Sequence, residues 1–251
     1  LGWGCTKYRF RGHAEQPFWR WVCSWARAIR KPSDIGFSDD MFELPPLYEH
    51  EHIVHTSKAR DGMLFAAPAR NLQGQRQERR NSIPERVAKA HDLTSNHDGA
   101  SVIWCELNDE ADRLEKEITG AVQVSGSMSD EKKEERLMAF TNGEIDKLVT
   151  KPKVGCWGLN WQHCNNVVIL PSHSYEQTYQ AIRRCWRFGQ ANPVHVHYVV
   201  NEGESAVLKN IKAKADRADQ MFRSLTKHMN DSLTLASEDF FPDDEKVPTW
   251  L

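Results

Sequence analysis

The chain has 251 residues, 39% of them hydrophobic and 27% charged, enough for one large domain with a real core or a domain with a substantial appendage. Its 33 Lys and Arg stand against 35 Asp and Glu, a formal net charge of -2, which excludes a histone-like polycation and an acidic disordered chain. No apolar run approaches the roughly 20 residues that span a bilayer, and the N-terminus lacks a signal-peptide pattern, so no membrane partner is expected. Cysteines 5, 23, 105, 156, 164 and 185 include no C-x-x-C pair, which reads as reduced thiols in a cytoplasmic protein. The first residue is Leu1, and the expectation is a piece of a longer protein.

Charge is segregated along the chain. Lys7, Arg9, Arg11, Arg20, Arg27, Arg30 and Lys31 make the front basic, and the tail from Asp231 is acidic. The segment Pro17 to Lys31 is predicted as a helix, with Phe18, Trp21, Val22, Trp25, Ala28 and Ile29 as an apolar stripe that reads as core. Residues 32–47 are turn-rich. Residues 68–98, with Arg70, Arg76, Arg79, Arg80 and Arg86, are polar and basic without a strand pattern, and read as a surface insertion or loosely packed helices.

From Ser101 the pattern changes to SVIWC as a buried strand, then a helix from Asp109 to Ile118 with Asn108 as cap. AVQVSGS is a second strand, Ser129 to Phe140 a helix, IDKLVT a third strand and VVIL a fourth. Tyr175 to Trp186 is a helix, VHVHYVV a fifth strand, and Glu204 to about His228 a final helix. That rhythm implies right-handed crossovers and an α/β fold, a parallel sheet with helices on both faces. The expected division is 1–60, 61–98 (the insertion), 99–230 (the sheet domain) and 231–251 (the acidic tail).

In such a sheet, ligands bind beyond the carboxyl ends of the strands. The segments there are rich in small residues and bases: Ser125-Gly126-Ser127; Thr150-Lys151-Pro152-Lys153 through Gly158, Asn160 and Trp161; and Gln180-Ala181-Ile182-Arg183-Arg184-Cys185-Trp186-Arg187-Phe188-Gly189-Gln190. Backbone N–H groups at Ser/Gly turns bind phosphate, and lysines add point charge. Arg184 and Arg187, three apart on the predicted helix, leave one face, and two arginines one turn apart can clamp a triphosphate. A bare R-x-x-R is more often a surface ion pair, and only its context changes that reading.

That context is a family resemblance. VIWCELNDEADRLEKE, VQVSGSMSDEKKEERLMAFTNGE, TKPKVGCWGLNW and SHSYEQTYQAIRRCWRFGQANPVHVHYVV resemble, in order, motif IV, the stretch after it, motif V and motif VI of the second RecA-like lobe of superfamily 2 helicases, more narrowly the Swi/Snf-like DNA translocases. The resemblance spans about a hundred residues, Val102 to Val200. It implies a RecA-like fold and an ATP-dependent helicase or translocase acting on DNA, expected to be double-stranded, with ATP and Mg²⁺ as cofactors and a phage or bacterial setting. It places Arg184 and Arg187 as the catalytic arginine fingers, and Gln180, Gly158, Arg184 and Arg187 against ATP. It places Ser125, Ser127, Thr150, Lys151, Lys153 and Asn160 against DNA. The chain departs from the pattern at Pro152-Lys153-Val154, where Ala-Gly-Gly is usual, at Trp161 in place of Leu, and at Arg183. Residues 30–55 resemble the inter-lobe linker, which would make residues 1–31 the end of the first lobe.

No G-x-x-x-x-G-K-[ST] occurs in the sequence, and no strand ends in an Asp-Glu pair placed for Mg²⁺. The resemblance assigns both elements to a first lobe, which would be supplied in cis or in trans, so the chain alone is expected to bind DNA weakly and turn over essentially no ATP. The alternatives are a non-catalytic DNA-binding or regulatory module and one half of an ATPase assembled in trans. His50, His52 and His55 read as solvated rather than metal-ligating, and no metal site is expected. His195 and His197 alternate on one strand face, and adjacency alone gives His163-Cys164 little weight as a nucleophile pair.

Overall fold

A computed structural model describes residues 15–26, 28–40, 42–55, 72–155, 158–172 and 174–239. The chain divides into two compact units, one of residues 43–215 and one of residues 1–42 with 216–251.

The larger unit is built on six parallel strands: β1 (Leu47–Val54), β2 (Ser101–Trp104), β3 (Ala121–Val124), β4 (Lys147–Thr150), β5 (Asn166–Ile169) and β6 (Val194–Asn201). Their order across the sheet is β1-β6-β5-β2-β4-β3. The helices before and between them are α2 (Leu72–Asn81), α3 (Ile83–Ser95), α4 (Asn108–Glu117), α5 (Asp130–Thr141), the single turn α6 (Pro152–Gly155) and α7 (Tyr175–Arg183). Strand residues alternate between two apolar layers. Val102, Trp104, Leu148, Val167, Ile169, Val194 and Val196 meet Leu137 and Phe140 of α5 and Ala181 and Ile182 of α7. Ile103, Val149, Val168 and Val199 meet Val87 and Ala90 of α3 and Ala111 and Leu114 of α4. The expected α/β sheet covered on both faces is present, with β1 as a sixth strand beside β6.

Local chemistry sets the element ends. Ser129 caps α5 and Ser174 caps α7, each accepting a backbone N–H three residues on. Helix α4 starts at Asn108 instead of being capped by it, because the Glu110 carboxylate reaches back to the N–H groups of Glu106 and Leu107, 3.0 Å from each. At the β3 edge, Glu115 accepts the Gln123 N–H at 2.9 Å and Arg136 donates to the Gln123 carbonyl at 2.6 Å. These two side chains occupy backbone groups that would otherwise invite another strand.

Residues 77–95 are not a surface insertion. Arg79 and Arg86 are buried, against the sequence expectation, because both face acids supplied from elsewhere. Arg79 bonds Glu204 at 2.6 Å and the Pro171 carbonyl, and Arg86 bonds Glu110 at 2.6 Å with Glu204 3.7 Å away. Asn201 donates to Ser82 in the same cluster at 2.8 Å. Arg79 and Arg86 belong to a neutralised interior network, and Ile83, Val87 and Ala90 place α3 on the sheet.

Helix α8 (Ser205–Asp239) begins in the larger unit and continues into the smaller one. It runs past the expected end near His228 into the expected acidic tail; residues 240–251 lie outside the described ones. In the smaller unit, α1 (Glu15–Trp25) packs Trp19 and Cys23 on Leu225 and Met229. The apolar stripe read from sequence is therefore off in phase: Trp21, Trp25 and Ile29 are 60%, 65% and 59% exposed. The helix also stops at Trp25, short of Lys31. Arg30 bonds Asp219 at 2.6 Å and lies 4.3 Å over the Phe222 ring. Lys7, Arg9, Arg11, Arg27 and Arg70, from the basic segments noted in the sequence, lie outside the described residues.

Candidate nucleotide and nucleic-acid site

The carboxyl ends of β3, β4 and β5, with the turn after α7, gather the residues singled out in the sequence. β3 is followed by Ser125, whose hydroxyl lies 3.0 Å from that of Ser127 across exposed Gly126. β4 ends in Thr150, which is fully buried, its hydroxyl donating to the Val124 carbonyl at 3.0 Å. The side chain of Thr150 thus ties β4 to β3 and is not presented to a ligand. Lys151 follows at the rim and donates to the Asn108 side-chain oxygen at the start of α4.

The departure Pro152-Lys153-Val154-Gly155 folds as the one-turn helix α6, with Lys153 exposed and Pro152 and Gly155 buried. A Cβ at Gly155 would come within 3.0 Å of Thr150 Cγ2 and 3.2 Å of the Trp104 ring, so a side chain here would require Thr150 or Trp104 to give way by a few tenths of an ångström. Cys156 and Trp157, part of the motif V-like run, lie outside the described residues. Gly158 resumes the loop at φ +75, a left-handed conformation that favours glycine.

Trp161, which stands where the family pattern has Leu, contributes to the core rather than to a phosphate contact. It is fully buried, 5.2 Å edge-on to Phe140 and 5.6 Å from Trp104, and its indole donates to Thr141 at 3.1 Å. With that anchor the preceding loop is drawn onto the turn after α7. The Trp161 N–H donates to the Arg184 carbonyl at 2.9 Å, so that carbonyl serves a tertiary contact and not a further helical turn. Helix α7 accordingly ends at Arg183, short of the expected Trp186, and Arg184 to Arg187 lie on the turn beyond it.

The two arginines still converge. Arg184 Nη1 donates to the Leu159 carbonyl at 2.8 Å, and Arg187 Nη1 donates to the Asn160 side-chain oxygen. Their guanidinium groups therefore meet consecutive residues of one loop. Both are half-buried, and Arg187 Nε is buried without a hydrogen-bond partner, a donor available to an incoming acceptor. Arg183 turns elsewhere, 5.2 Å over the Trp186 ring and 5.9 Å from that of Tyr179. Gln180 is exposed on α7.

Two glutamines complete the fastening, and sequence reasoning gave neither this role. Gln190, buried, donates to the carbonyls of Cys164 at 2.9 Å and Cys185 at 3.3 Å and accepts the Asn192 N–H at 3.0 Å. Gln162 donates to the Phe188 carbonyl at 2.8 Å, beside Gly189 at φ +89. Position after Phe-Gly was the available signal for Gln190; nothing marked Gln162. Cys164 and Cys185 are fully buried, and burial first, then the neighbouring Cys164, pushes the Cys185 thiol well up, which leaves the Cys185 sulfur protonated and inert. Burial lowers the pKa of His163, whose ring packs 5.1 Å from Phe140, and the Cys164 thiol points to backbone carbonyls, so no nucleophile pair forms. Among the described residues, no group of three or more His, Cys, Asp or Glu is arranged to hold a metal ion.

Fold and rim together define an open parallel α/β lobe whose carboxyl-end loops present lysines, serines and a fastened arginine pair. Residues 84–189 match the helicase conserved C-terminal domain, and this segment is a helicase C-terminal lobe. The DNA repair protein rad8 of Schizosaccharomyces pombe is 37% identical over 95 residues, which cover 37% of this chain and 8% of that protein. The chain is also similar to the C-terminal part of the Fun30 ATPase domain, at 19% identity and TM-score 0.45 over 61% of this chain and 54% of that one. A DEAD box protein from the hyperthermophile Methanococcus jannaschii is 20% identical at TM-score 0.46, over 52% of this chain and 37% of that one. No helix among the described residues is long and apolar enough to cross a membrane.

Proposed function

We propose that this chain is the second lobe of a Swi/Snf-like, ATP-dependent DNA translocase. In this reading Arg184 and Arg187 reach the γ-phosphate of ATP held with Mg²⁺ mainly by a first lobe in cis or in trans. The observation that carries the reading is the fastening of the arginine turn to the loop before Trp161, through Leu159, Asn160, Trp161, Gln162 and Gln190. Such a joint lets a shift in one loop move the other, which coupling of nucleotide turnover to movement on DNA requires. Guanidinium groups prepositioned by backbone and amide acceptors stabilise charge on a transferring phosphoryl group at little reorganisation cost.

Ser125, Ser127, Lys151 and Lys153 supply hydroxyl and ammonium donors for the DNA backbone, and Asn160 belongs to the joint with Arg187. Duplex DNA is the expected partner. Contact with phosphates makes binding salt-dependent, and each lysine lost should reduce the slope of log K against log salt by about 1. Fluorescence anisotropy of this chain on a labelled duplex across a salt series tests this: Lys151→Ala and Lys153→Ala should each lower affinity and slope. Unchanged slopes in both variants would remove the lysines from the DNA interface.

A further inference from the structure

β1 and β6 carry four histidines on the face that α3 covers, and the parallel register brings them together: His50 lies opposite His197, and Tyr48 opposite His195. The rings form a continuous run. His195 Nδ1 is 3.2 Å from His50 Nε2, the His50 and His197 rings stack with centroids 4.8 Å apart, and His197 Nδ1 is 3.0 Å from His52 Nε2. Each nitrogen pair holds together only while one nitrogen donates and the other accepts; two imidazolium rings offer donors alone.

The surroundings supply further positive charge. Lys89 of α3 acts on His52, and His97, bonded to Asn165 at 3.1 Å, acts on His195 and His197. Glu85 lies one turn before Lys89 on α3. The acids of β1 alternate to the opposite face and are engaged there, Glu49 with Tyr198 at 2.6 Å and Glu51 with Lys212 of α8. His55, just past β1, pairs with Glu202. Burial, then the neighbouring imidazoles and His97, lowers the His197 pKa to about 4, and burial first also lowers those of His52 and His195.

We propose that His50, His52, His195 and His197 form an acid-sensitive latch that holds β1 on β6 and opens when the rings become protonated. β1 is an edge strand, so it leaves without breaking the sheet behind it. Its entry is tied to the arginine turn: Pro45 accepts the Trp186 indole N–H at 2.7 Å, and Pro46 accepts the Val194 N–H at 2.9 Å. Release of β1 therefore removes a contact from Trp186, the residue just before Arg187. The latch stands on strand register and ring contacts, independently of the ATP reading.

The test is amide hydrogen exchange on the whole chain from pH 7.5 to 3.5, expressed as protection factors, with imidazole titration followed by NMR on the same sample. Protection in residues 47–54 should fall at least tenfold relative to β2 and β5, with a midpoint on the ring titration. In His50→Gln/His197→Gln it should fall less than threefold. Constant β1 protection while the rings titrate, a fall shared equally with β2 and β5, or an equal fall in the double variant would overturn the proposal. If the double variant does not fold, the unaltered chain decides: ring protonation that leaves β1 protected is the refuting result.

Discussion

Replacement of Glu110 by alanine should be among the most destabilising single changes in the larger unit. Its side chain is fully buried against the equally buried Arg86, 2.6 Å away, and its other oxygen accepts the N–H groups of Glu106 and Leu107. Alanine leaves Arg86 with only Glu204 as a carboxylate, at 3.7 Å, while Arg86 Nη1 already lacks a hydrogen-bond partner. Removing one member of a buried ion pair costs about 3–5 kcal/mol. The two N–H groups are half-buried at the helix start and add about 1 kcal/mol between them if water replaces part of the bonding. The expected loss of about 4–6 kcal/mol corresponds to a fall in Tm of roughly 10–20 °C for a chain of this size. Urea unfolding followed by fluorescence of the buried Trp104 and Trp161 measures it. Arg86→Met/Glu110→Met should recover much of the loss, because an apolar pair leaves no stranded charge. A loss below about 1 kcal/mol for Glu110→Ala would refute the account of α2 and α3 as parts of a neutralised interior.

Other outcomes follow from single contacts. Trp161→Leu, which restores the family pattern, should cost about 2–3 kcal/mol in urea unfolding, because it opens a cavity beside Trp104 and Phe140. Gly189→Ala meets both a φ of +89 and a Gln162 Nε2 only 2.9 Å from the new Cβ, and should cost about 1 kcal/mol or more while disturbing the arginine turn. His52, His195 and His197 have pKa values lowered by folding, so their contribution is full above about pH 6.5 and is lost as pH falls from there towards 4. Allowing for solvent around half-buried rings, denaturation at pH 7.5 and 5 should differ by about 1–2 kcal/mol from this cluster. The cluster account fails if His197→Gln leaves that pH dependence unchanged.

The strands after residue 100 were legible because each is a short apolar run between turn residues, and the starts of α5 and α7 were legible to within a residue, although their serine caps show only in the structure. The arginine pair was legible from its pattern, although its geometry was not: the ends meet because Trp161 draws a distant loop onto Arg184, and sequence spacing carries no trace of that. Helices were one of the two readings for residues 68–98 and are present, but the packing of α2 and α3 was missed because Arg79 and Arg86 look like surface charge until Glu110 and Glu204 arrive from other elements. Helix α1 was misphased for a related reason. Trp21 and Trp25 are as apolar as Trp19, and only packing on Leu225 and Met229 selects the buried face. Thr150 looked like a ligand donor and proved a buried strand tie, because a hydroxyl at a strand end has a neighbouring carbonyl within reach.

ATP turnover on duplex DNA, with this chain joined to or mixed with a first lobe carrying the phosphate-binding loop, tests the proposed function most directly. Arg184→Ala and Arg187→Ala should each lower kcat by about 10³ to 10⁵ with DNA affinity largely kept. Arg183→Ala, which removes only a cation stacked on Tyr179 and Trp186, should lower it less than tenfold. Turnover within tenfold of the unaltered protein after loss of Arg184 or Arg187 would contradict the assignment of the arginine turn to the nucleotide.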